Sequence, residues 1–281
     1  MYQIKTKNKI LSLDNPVVMG IINTTPDSFS DGGKYLQTNK AIEQALAMVE
    51  QGVKILDIGG ESTRPGAPEV ALKEELNRVI PVIEGIRKHT ELMISIDTSK
   101  AEVMTQAVAA GADIINDVCA LSLPGALQAA AIADVPVCLM HMQGTPRTMQ
   151  LNPQYRDLIT DIKTFFDERI DACQQAGINK DKLILDLGFG FGKTLQHNYQ
   201  LMNQIKAFDD FGLPMLLGVS RKSMIGKLLD NEADQRLAGS LAAALYGLQQ
   251  GAHIFRVHDT QATLDAIKVW QACRNPSLVT Q

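Results

Sequence analysis

Cysteine is scarce in this chain, and the few cysteines are not grouped. The 281 residues include four, and no two of them form a C-x-x-C pair. They are Cys119, Cys138, Cys173 and Cys273. A structural zinc site or a disulfide framework needs clustered cysteines, so neither is predicted. Four isolated cysteines indicate buried thiols in a reducing compartment.

The chain also lacks a long hydrophobic run and an excess of positive charge. No apolar stretch approaches the roughly 18 residues of a membrane span, and residues 1–10 have no apolar signal-peptide core. With 27 Lys+Arg against 31 Asp+Glu, the formal net charge is −4. These features argue against nucleic acid or a membrane as partner and predict a cytoplasmic protein that holds any anionic ligand with local groups.

The sequence does contain a regular alternation of short apolar runs and stretches with helical periodicity. Hydrophobic residues make up 45% of it, enough for a core. Eight runs are predicted as strands: Val17–Ile22, Ile55–Ile58, Met93–Ile96, Ile114–Asn116, Pro136–Met140, Leu183–Leu187, Pro214–Val219 and Ile254–Val257. Six stretches are predicted as helices: Asn39–Glu50, Leu72–Lys88, Lys100–Ala110, Arg156–Ala176, Gln235–Gln250 and Thr260–Cys273. Several end just before a glycine: Gly52, Gly111, Gly177 and Gly251.

This strand and helix alternation predicts an α/β fold with parallel strands. A doubly wound open sheet is one solution, but no Gly-x-Gly-x-x-Gly follows the first strand. Eight units favour closure into a (β/α)8 TIM barrel, which commonly needs about 250 residues. No linker or low-complexity segment divides the chain, so residues 1–281 are predicted to form a single domain.

Acceptor side chains stand at three of the predicted strand ends. Asp97 follows the third strand, Asn116 closes the fourth, and Asp186 lies at the end of the sixth. In a TIM barrel these ends meet at the catalytic mouth. Their oxygens suit a planar heterocycle with several N–H donors, such as a purine or a pterin. The alternative is that such a residue only caps the next helix, as Asp97 could.

A second group at the strand ends is cationic or rich in donors. It comprises Arg64, Arg221, Lys222, Arg256 and His258, with Asn23 and Thr63 nearby. Arginine forks and lysine charges suit a pyrophosphate or a carboxylate. Taken singly, each cation could equally be a solvated surface charge. Their common position at strand ends favours an anion site.

One glycine-rich segment looks like a nucleotide-phosphate loop but is not one. Gly188–Thr194 ends in Gly-Lys-Thr, yet Leu187 occupies the position where a P-loop requires its first glycine. We interpret it as a flexible loop that brings Phe189 or Phe191 over the mouth, with ordinary turn chemistry as the alternative. The long loops after the first two strands are candidates for mobile lids.

No metal-ligand cluster is visible in the sequence. His141, His258, Asp97 and Asp186 are scattered, without a His-x-x-x-His pair. A zinc ion caged by protein is therefore not predicted. Mg²⁺ carried on the diphosphate of a substrate remains compatible with the residues.

Taken together, the strand-end motifs resemble those of the bacterial dihydropteroate synthase family along nearly the whole chain. The matching stretches are Met19–Gly33, Asp57–Gly66, Ser95–Thr98, Ile115–Val118, Leu139–Met142, Gly188–Lys193, Gly218–Ser223 and Arg256–His258. One position departs from the family pattern, since Leu187 replaces the proline usual after the aspartate of the sixth strand.

The resemblance implies a transferase of folate biosynthesis. The expected reaction joins 4-aminobenzoate to 6-hydroxymethyl-7,8-dihydropterin diphosphate and releases diphosphate, giving 7,8-dihydropteroate. The expected cofactor is Mg²⁺, and the expected assembly is a homodimer. An SN1-like course is expected because departure of diphosphate leaves a delocalised cation on the pterin methylene, which the arylamine then attacks.

The resemblance also implies roles for individual residues. The pterin site would contain Asp97, Asn116, Asp186, Lys222, Met140 and Arg256. The diphosphate site would contain Asn23, Thr63, Arg256 and His258, with Asn23 next to Mg²⁺. The aminobenzoate site would contain Thr63, Arg64, Pro65, Phe191 and Ser223. The catalytic group would be Asp97, Lys222, Arg256 and Asn23.

Two other functions share parts of this pattern. A related pterin-binding barrel that presents methyltetrahydrofolate to a corrinoid protein would share the three acceptors but would not need the anion-binding loops. A paralogue that binds a pterin without turnover would keep the same fold. Motifs at every strand end favour the synthase.

Overall fold

The computed structural model describes residues 2–25, 34–63, 66–145, 148–149 and 152–278. An antiparallel hairpin comes first, formed by β1 (Gln3–Lys5) and β2 (Ile10–Ser12). Eight parallel strands, β3 to β10, follow and close into a barrel in which β10 pairs with both β9 and β3. The predicted (β/α)8 TIM barrel is therefore confirmed.

All eight predicted strands are present. Their bounds are Val17–Asn23 (β3), Ile55–Gly59 (β4), Met93–Asp97 (β5), Ile114–Asp117 (β6), Val137–Met140 (β7), Leu183–Asp186 (β8), Met215–Leu217 (β9) and Ile254–Val257 (β10). Four strands extend past the predicted end by one residue, and that residue is polar or glycine in each. The side chains that could meet a ligand thus belong to the rigid ends of the strands.

The six predicted helices are present with small shifts at their ends. The nine helices of the described residues are Lys34–Gln51 (α1), Leu72–Arg87 (α2), Ala101–Ala109 (α3), Ala126–Ala133 (α4), Leu158–Gln175 (α5), Leu195–Asn203 (α6), Ser223–Leu229 (α7), Leu237–Gln249 (α8) and Thr260–Arg274 (α9). Helices α4, α6 and α7 were not predicted; their seven to nine residues give few turns of periodicity, although α3, also of nine residues, was predicted. None of the described helices is both long and apolar enough to cross a membrane.

The apolar core consists of two clusters, one inside the barrel and one between the barrel and its helices. An inner cluster takes residues from all eight strands, among them Val17, Met93 and Leu216, and is completed by Ile4 and Leu13 of the N-terminal segment. An outer cluster packs the helices against the strands. Because Ile4 and Leu13 pack on the bottom of the inner cluster, the opposite end, where the strands finish in polar residues, is the open mouth.

The cysteines form no disulfide. Cys138 and Cys173 are buried, as predicted, whereas Cys119 is partly exposed and Cys273 is exposed. The prediction of four buried thiols was therefore wrong for Cys119 and for Cys273, which lies near the end of α9 on the outer surface.

Candidate active site

Strand register brings the predicted polar residues into one layer at the mouth. Asn23 is opposite Gly59, Gly59 is opposite Asp97, and Asp97 is opposite Asn116. On the other side of the barrel, Met140 is opposite Asp186. Residues far apart in sequence therefore share one rim, as the barrel hypothesis predicts.

Arg256 links two acidic side chains at the centre of this rim. Its Nε donates to Asp57 Oδ2 at 2.6 Å and its Nη2 donates to Asp97 Oδ2 at 2.6 Å. Asn116 Nδ2 also lies 3.3 Å from Asp57 Oδ2. Two carboxylates against one guanidinium give this group a net negative charge when both acids are ionised, and they fix the plane of the guanidinium.

Asp97 is a buried acid at the centre of this group. Burial raises the pKa of Asp97 to about 7, opposed by Arg256 and reinforced by Asp57. Its Oδ1 atom is buried and has no hydrogen-bond partner within the described part of the chain. Since a buried acceptor without a donor is unfavourable, a ligand N–H at this position would be stabilising.

Asp186 and Lys222 form the second part of the rim. Asp186 Oδ1 accepts from the backbone N–H of Gly188 at 2.8 Å, and burial raises the pKa of this acid. Burial lowers the pKa of Lys222 to about 8, against the attraction of Asp186. Lys222 Nζ lies 4.1 Å from the centre of the Phe191 ring, a cation–π contact.

An apolar patch lies beside these charges. Met140, Phe191, Val118 and Met149 form one buried cluster. Phe191 therefore lies at the mouth, as predicted for one of two phenylalanines. Phe189 does not, because it packs in the outer cluster between helices and strands.

The predicted anion-binding residues are only partly brought together. Asn23 and His258 are half-buried at the ends of β3 and β10, and His258 Nδ1 lies 3.1 Å from Ser220 Oγ. Ser223 is exposed at the start of α7. Arg64 and Pro65 lie outside the described residues.

Arg221 does not contribute a free charge to the mouth. Its guanidinium makes a two-point ion pair with Asp259, with Nε donating to Oδ2 at 2.9 Å. This contact compensates the arginine charge, so the predicted cationic group is smaller than the sequence indicated. Arg256 is compensated in the same way, by Asp57 and Asp97, and acts at the mouth as a fixed hydrogen-bond donor.

A cavity of about 460 Å³ opens at the mouth, large enough for a small organic ligand. Asp97 and Met140 line it near the barrel axis, and Thr63 lines it toward the loop after β4. Its far side is polar and carries Glu61 and Lys100. Two of the predicted pterin residues, Asp97 and Met140, thus border the same space as Thr63 of the predicted aminobenzoate site.

Two acidic residues in this region were missed from the sequence. Asp57 is fully buried inside β4 and holds Arg256. Glu75, on α2, is fully buried and accepts from Thr98 Oγ1 at 2.6 Å and from Lys100 Nζ at 2.5 Å. Asp57 could have been found from the sequence. A charged residue inside an apolar strand needs a buried partner, so its position there predicts an ion pair in the barrel.

The described residues contain no group of three or more His, Cys, Asp or Glu side chains arranged to hold a metal ion. Within the described ranges, a metal at this mouth would therefore have few protein ligands. The Asn23 amide offers one hard oxygen on the side where the anion-binding residues lie. That donor set fits Mg²⁺ carried by phosphate oxygens.

The chain matches a family described as "Pterin binding enzyme" over residues 19–258. It is 52% identical to the dihydropteroate synthase of Haemophilus influenzae over 97% of this chain and 99% of that protein. It is 55% identical to the dihydropteroate synthase of Escherichia coli over 93% of each chain.

Solved structures show the same likeness in three dimensions. The Yersinia pestis dihydropteroate synthase in a sulfonamide drug complex has a TM-score of 0.93 at 51% identity, covering 97% of this chain and 99% of that one. The Xanthomonas albilineans enzyme with 4-aminobenzoic acid has a TM-score of 0.92 at 50% identity, covering 97% and 98%. The same enzyme in complex with 7,8-dihydropteroate has a TM-score of 0.89 at 48% identity, covering 97% and 99%. The chain therefore belongs to the pterin binding enzyme family, among the dihydropteroate synthases.

Proposed function

We propose that this barrel mouth joins 4-aminobenzoate to 6-hydroxymethyl-7,8-dihydropterin diphosphate, releasing diphosphate and forming 7,8-dihydropteroate. The observation that carries the proposal is Asp97, whose Oδ2 is held by Arg256 while its buried Oδ1 has no partner among the described residues. The 4-aminobenzoic acid and 7,8-dihydropteroate complexes of the Xanthomonas albilineans relative support both the second substrate and the product.

The pterin ring would bind by its edge and its faces. Asp97, Asn116 and Asp186 offer acceptors and one amide donor to the ring edge, and Lys222 offers a further donor. Met140 would pack on one face. Arg256 would lie against the other, since its guanidinium plane is fixed by Asp57 and Asp97.

The diphosphate would lie toward Asn23, Thr63, Arg256 and His258. When bound, Mg²⁺ would supply positive charge next to the departing diphosphate oxygens, with Asn23 as the protein ligand. Arg256 and His258 would add donors from the end of β10.

The aminobenzoate would lie between the glycine loop, residues 188–192, and the loop after β4. Phe191 contributes an apolar face, and Thr63 lines the same cavity as Met140. Arg64, Pro65 and Ser223 complete the proposed set. Arg64 would pair with the carboxylate of the substrate.

The reaction would proceed by an SN1-like course. The bond between the pterin methylene carbon and the diphosphate oxygen breaks, and its electron pair leaves with diphosphate. The resulting cation is stabilised by the Asp97 carboxylate. The amine nitrogen of aminobenzoate then forms the new C–N bond and releases a proton to solvent.

A direct assay tests this proposal. Purified protein, Mg²⁺ and both substrates should yield 7,8-dihydropteroate and diphosphate in equal amounts, and EDTA should abolish turnover. Methyl transfer from methyltetrahydrofolate to a corrinoid protein, or pterin binding without product, would contradict the proposal.

The pH dependence should show the titration of Lys222. With a pKa of about 8, its ammonium group loses its proton as the pH rises, so kcat/KM should fall above about pH 8. Lys222→Arg, which stays charged, should remove this alkaline decline even if it lowers the maximum rate. If kcat/KM declines identically in the wild type and in Lys222→Arg, the titrating group is not Lys222.

We also propose that two copies pair through an apolar face of α6, α7 and α8. Tyr199, Leu228, Leu229 and Tyr246 line a groove of about 410 Å³ there, and Leu228 is 59% exposed. An apolar face of this kind suits a self-complementary contact between two copies. The cytoplasmic location stays a prediction from the sequence.

Sedimentation measures this assembly. The wild type should have twice the 30.7 kDa chain mass, and Leu228→Lys should sediment as a monomer. Ile132→Lys, at an 83% exposed position on α4, should stay dimeric. A monomeric wild type, or a dimeric Leu228→Lys, would contradict the proposed face.

A further inference from the structure

Lys193 is a buried lysine to which neither the proposed mechanism nor the resemblance gives a role. Its side chain lies in the segment between β8 and α6, where only 3% of the residue is exposed. Within the described part of the chain no carboxylate lies at ion-pair distance from its Nζ, although Asp186 is near enough to attract the charge. A buried amine without a counter-ion costs free energy unless other groups satisfy it, so its contacts need an explanation.

The contacts of Lys193 lie on two loops of the mouth. Nζ donates to Gly188 O at 2.9 Å and to Phe191 O at 3.1 Å, both in the glycine loop of residues 188–192. It also lies 2.9 Å from Nδ1 of His141, in the loop after β7. A single nitrogen thus joins both loops, a contact set that we call the lysine clamp.

The lysine clamp is satisfied in either protonation state of the amine. An ammonium group has three donors for the two carbonyls and for the ring nitrogen of a neutral His141. A neutral amine has two donors for the carbonyls and can accept from Nδ1–H. Burial lowers the pKa of Lys193 to about 7 and holds the pKa of His141 well below its ordinary value, so both partners can be neutral.

The two loops are fitted closely to each other. A Cβ at Gly188 would lie 1.8 Å from His141 O, and one at Gly192 would lie 2.5 Å from Gln143 O. Both glycines also have positive φ, +65° and +61°. Tyr155 OH donates to Gly192 O at 2.7 Å, adding a second tie between the loops. The backbones therefore approach at a distance that no side chain would permit.

The glycine loop in turn positions two groups of the proposed substrate sites, Asp186 and Phe191. The N–H of Gly188 holds Asp186 Oδ1 at 2.8 Å. The Phe191 ring lies 4.1 Å from Lys222 Nζ and packs against Met140. A shift of this loop would therefore displace an acceptor of the proposed pterin edge and a wall of the proposed aminobenzoate site together.

We propose that Lys193 is a positioning residue of the reaction: by clamping the glycine loop to the loop after β7, it fixes Asp186 and Phe191 for the two substrates. This inference rests on the proposed function. It assigns Lys193 no contact with substrate.

The test compares Lys193→Met with Lys182→Met. Methionine keeps the length and apolar stem of lysine but leaves the Gly188 and Phe191 carbonyls without their donor. Lys182 is the matched control, because its Nζ also donates to a backbone carbonyl, Asp134 O at 2.8 Å, but just before β8 at the opposite end of the barrel. Steady-state kinetics with both substrates and hydrogen exchange of the 188–192 amides are measured on each protein.

Lys193→Met should raise the KM for 4-aminobenzoate and lower kcat/KM by about 10-fold or more, as losses of positioning contacts do. Its 188–192 amides should exchange faster, while Lys182→Met should match the wild type in both readouts. If Lys193→Met only lowers the amount of active protein, with both KM values unchanged, the residue is merely structural and the inference is wrong.

Tyr155→Phe keeps the test decisive if Lys193→Met does not fold. It removes only the hydroxyl that holds Gly192 O, and it should raise the same KM by a smaller factor. Unchanged KM values with faster loop exchange would again overturn the inference. A wild-type protein that forms no dihydropteroate would overturn the proposed function instead, and the exchange data would still show whether Lys193 fixes the loop.

Discussion

Asp97→Asn should lower kcat/KM by about 100-fold or more, measured by initial rates of dihydropteroate formation. The carboxylate accepts from Arg256 through one oxygen and presents the other, buried and without a partner among the described residues, to the ligand. The amide keeps the size of the side chain but removes the negative charge next to the developing cation.

Asp113→Asn provides the matched control for this substitution. Asp113 is also a partly buried aspartate paired with an arginine, since Arg87 Nη2 donates to its Oδ2 at 2.6 Å. It precedes β6 at the closed end of the barrel, far from the mouth. The Asp113→Asn protein should be less stable than the wild type but keep its kcat/KM. If the kcat/KM of Asp97→Asn instead stays within about twofold of the wild type, Asp97 has no role in the mechanism.

Arg256→Met should be destabilising as well as inactivating. It leaves Asp57 fully buried and Asp97 nearly so, without the guanidinium that both contact at 2.6 Å. Breaking a buried pair by removing one partner costs about 3–5 kcal/mol. Urea unfolding should show this loss, and turnover should fall because the proposed face of the pterin site and a donor to diphosphate disappear together.

The double variant Asp57→Asn/Arg256→Met separates the two effects. Neutralising Asp57 removes the unpaired buried charge, so part of the lost stability should return. Activity should not return, because the guanidinium is still absent. Recovery of both would mean that Arg256 only balances Asp57, and recovery of neither would argue against their coupling.

The barrel was predictable because its strand pattern is repeated eight times. Apolar runs such as Ile55–Ile58 and Met93–Ile96 end at the same rim, so a single architectural rule places Asp97, Asn116 and Asp186 together. The N-terminal hairpin was not predicted, because β1 and β2 have three residues each and, unlike the three-residue β9, lie in no longer apolar run. Strands this short carry too few alternations to be recognised.

The charge balance of the mouth was not predictable from composition or position. Arg221 and Arg256 both stand at strand ends, yet Asp259 compensates one while Asp57 and Asp97 hold the other at the centre of the site. Which acid faces which arginine depends on side-chain directions that only the folded barrel fixes. The role of Lys193 was hidden for the same reason, since its partner His141 is 52 residues away.

The central claim is that the Asp97 rim binds the pterin of the diphosphate substrate. A crystal structure of the protein with 6-hydroxymethyl-7,8-dihydropterin diphosphate and Mg²⁺, without aminobenzoate, tests it most directly. The account predicts that a ring N–H donates to Asp97 Oδ1, that Asn116 and Asp186 contact the same edge, and that the diphosphate lies toward Asn23 and His258. A ring bound on the far side of the cavity, beside Glu61 and Lys100, with Asp97 Oδ1 still without a partner, would contradict it.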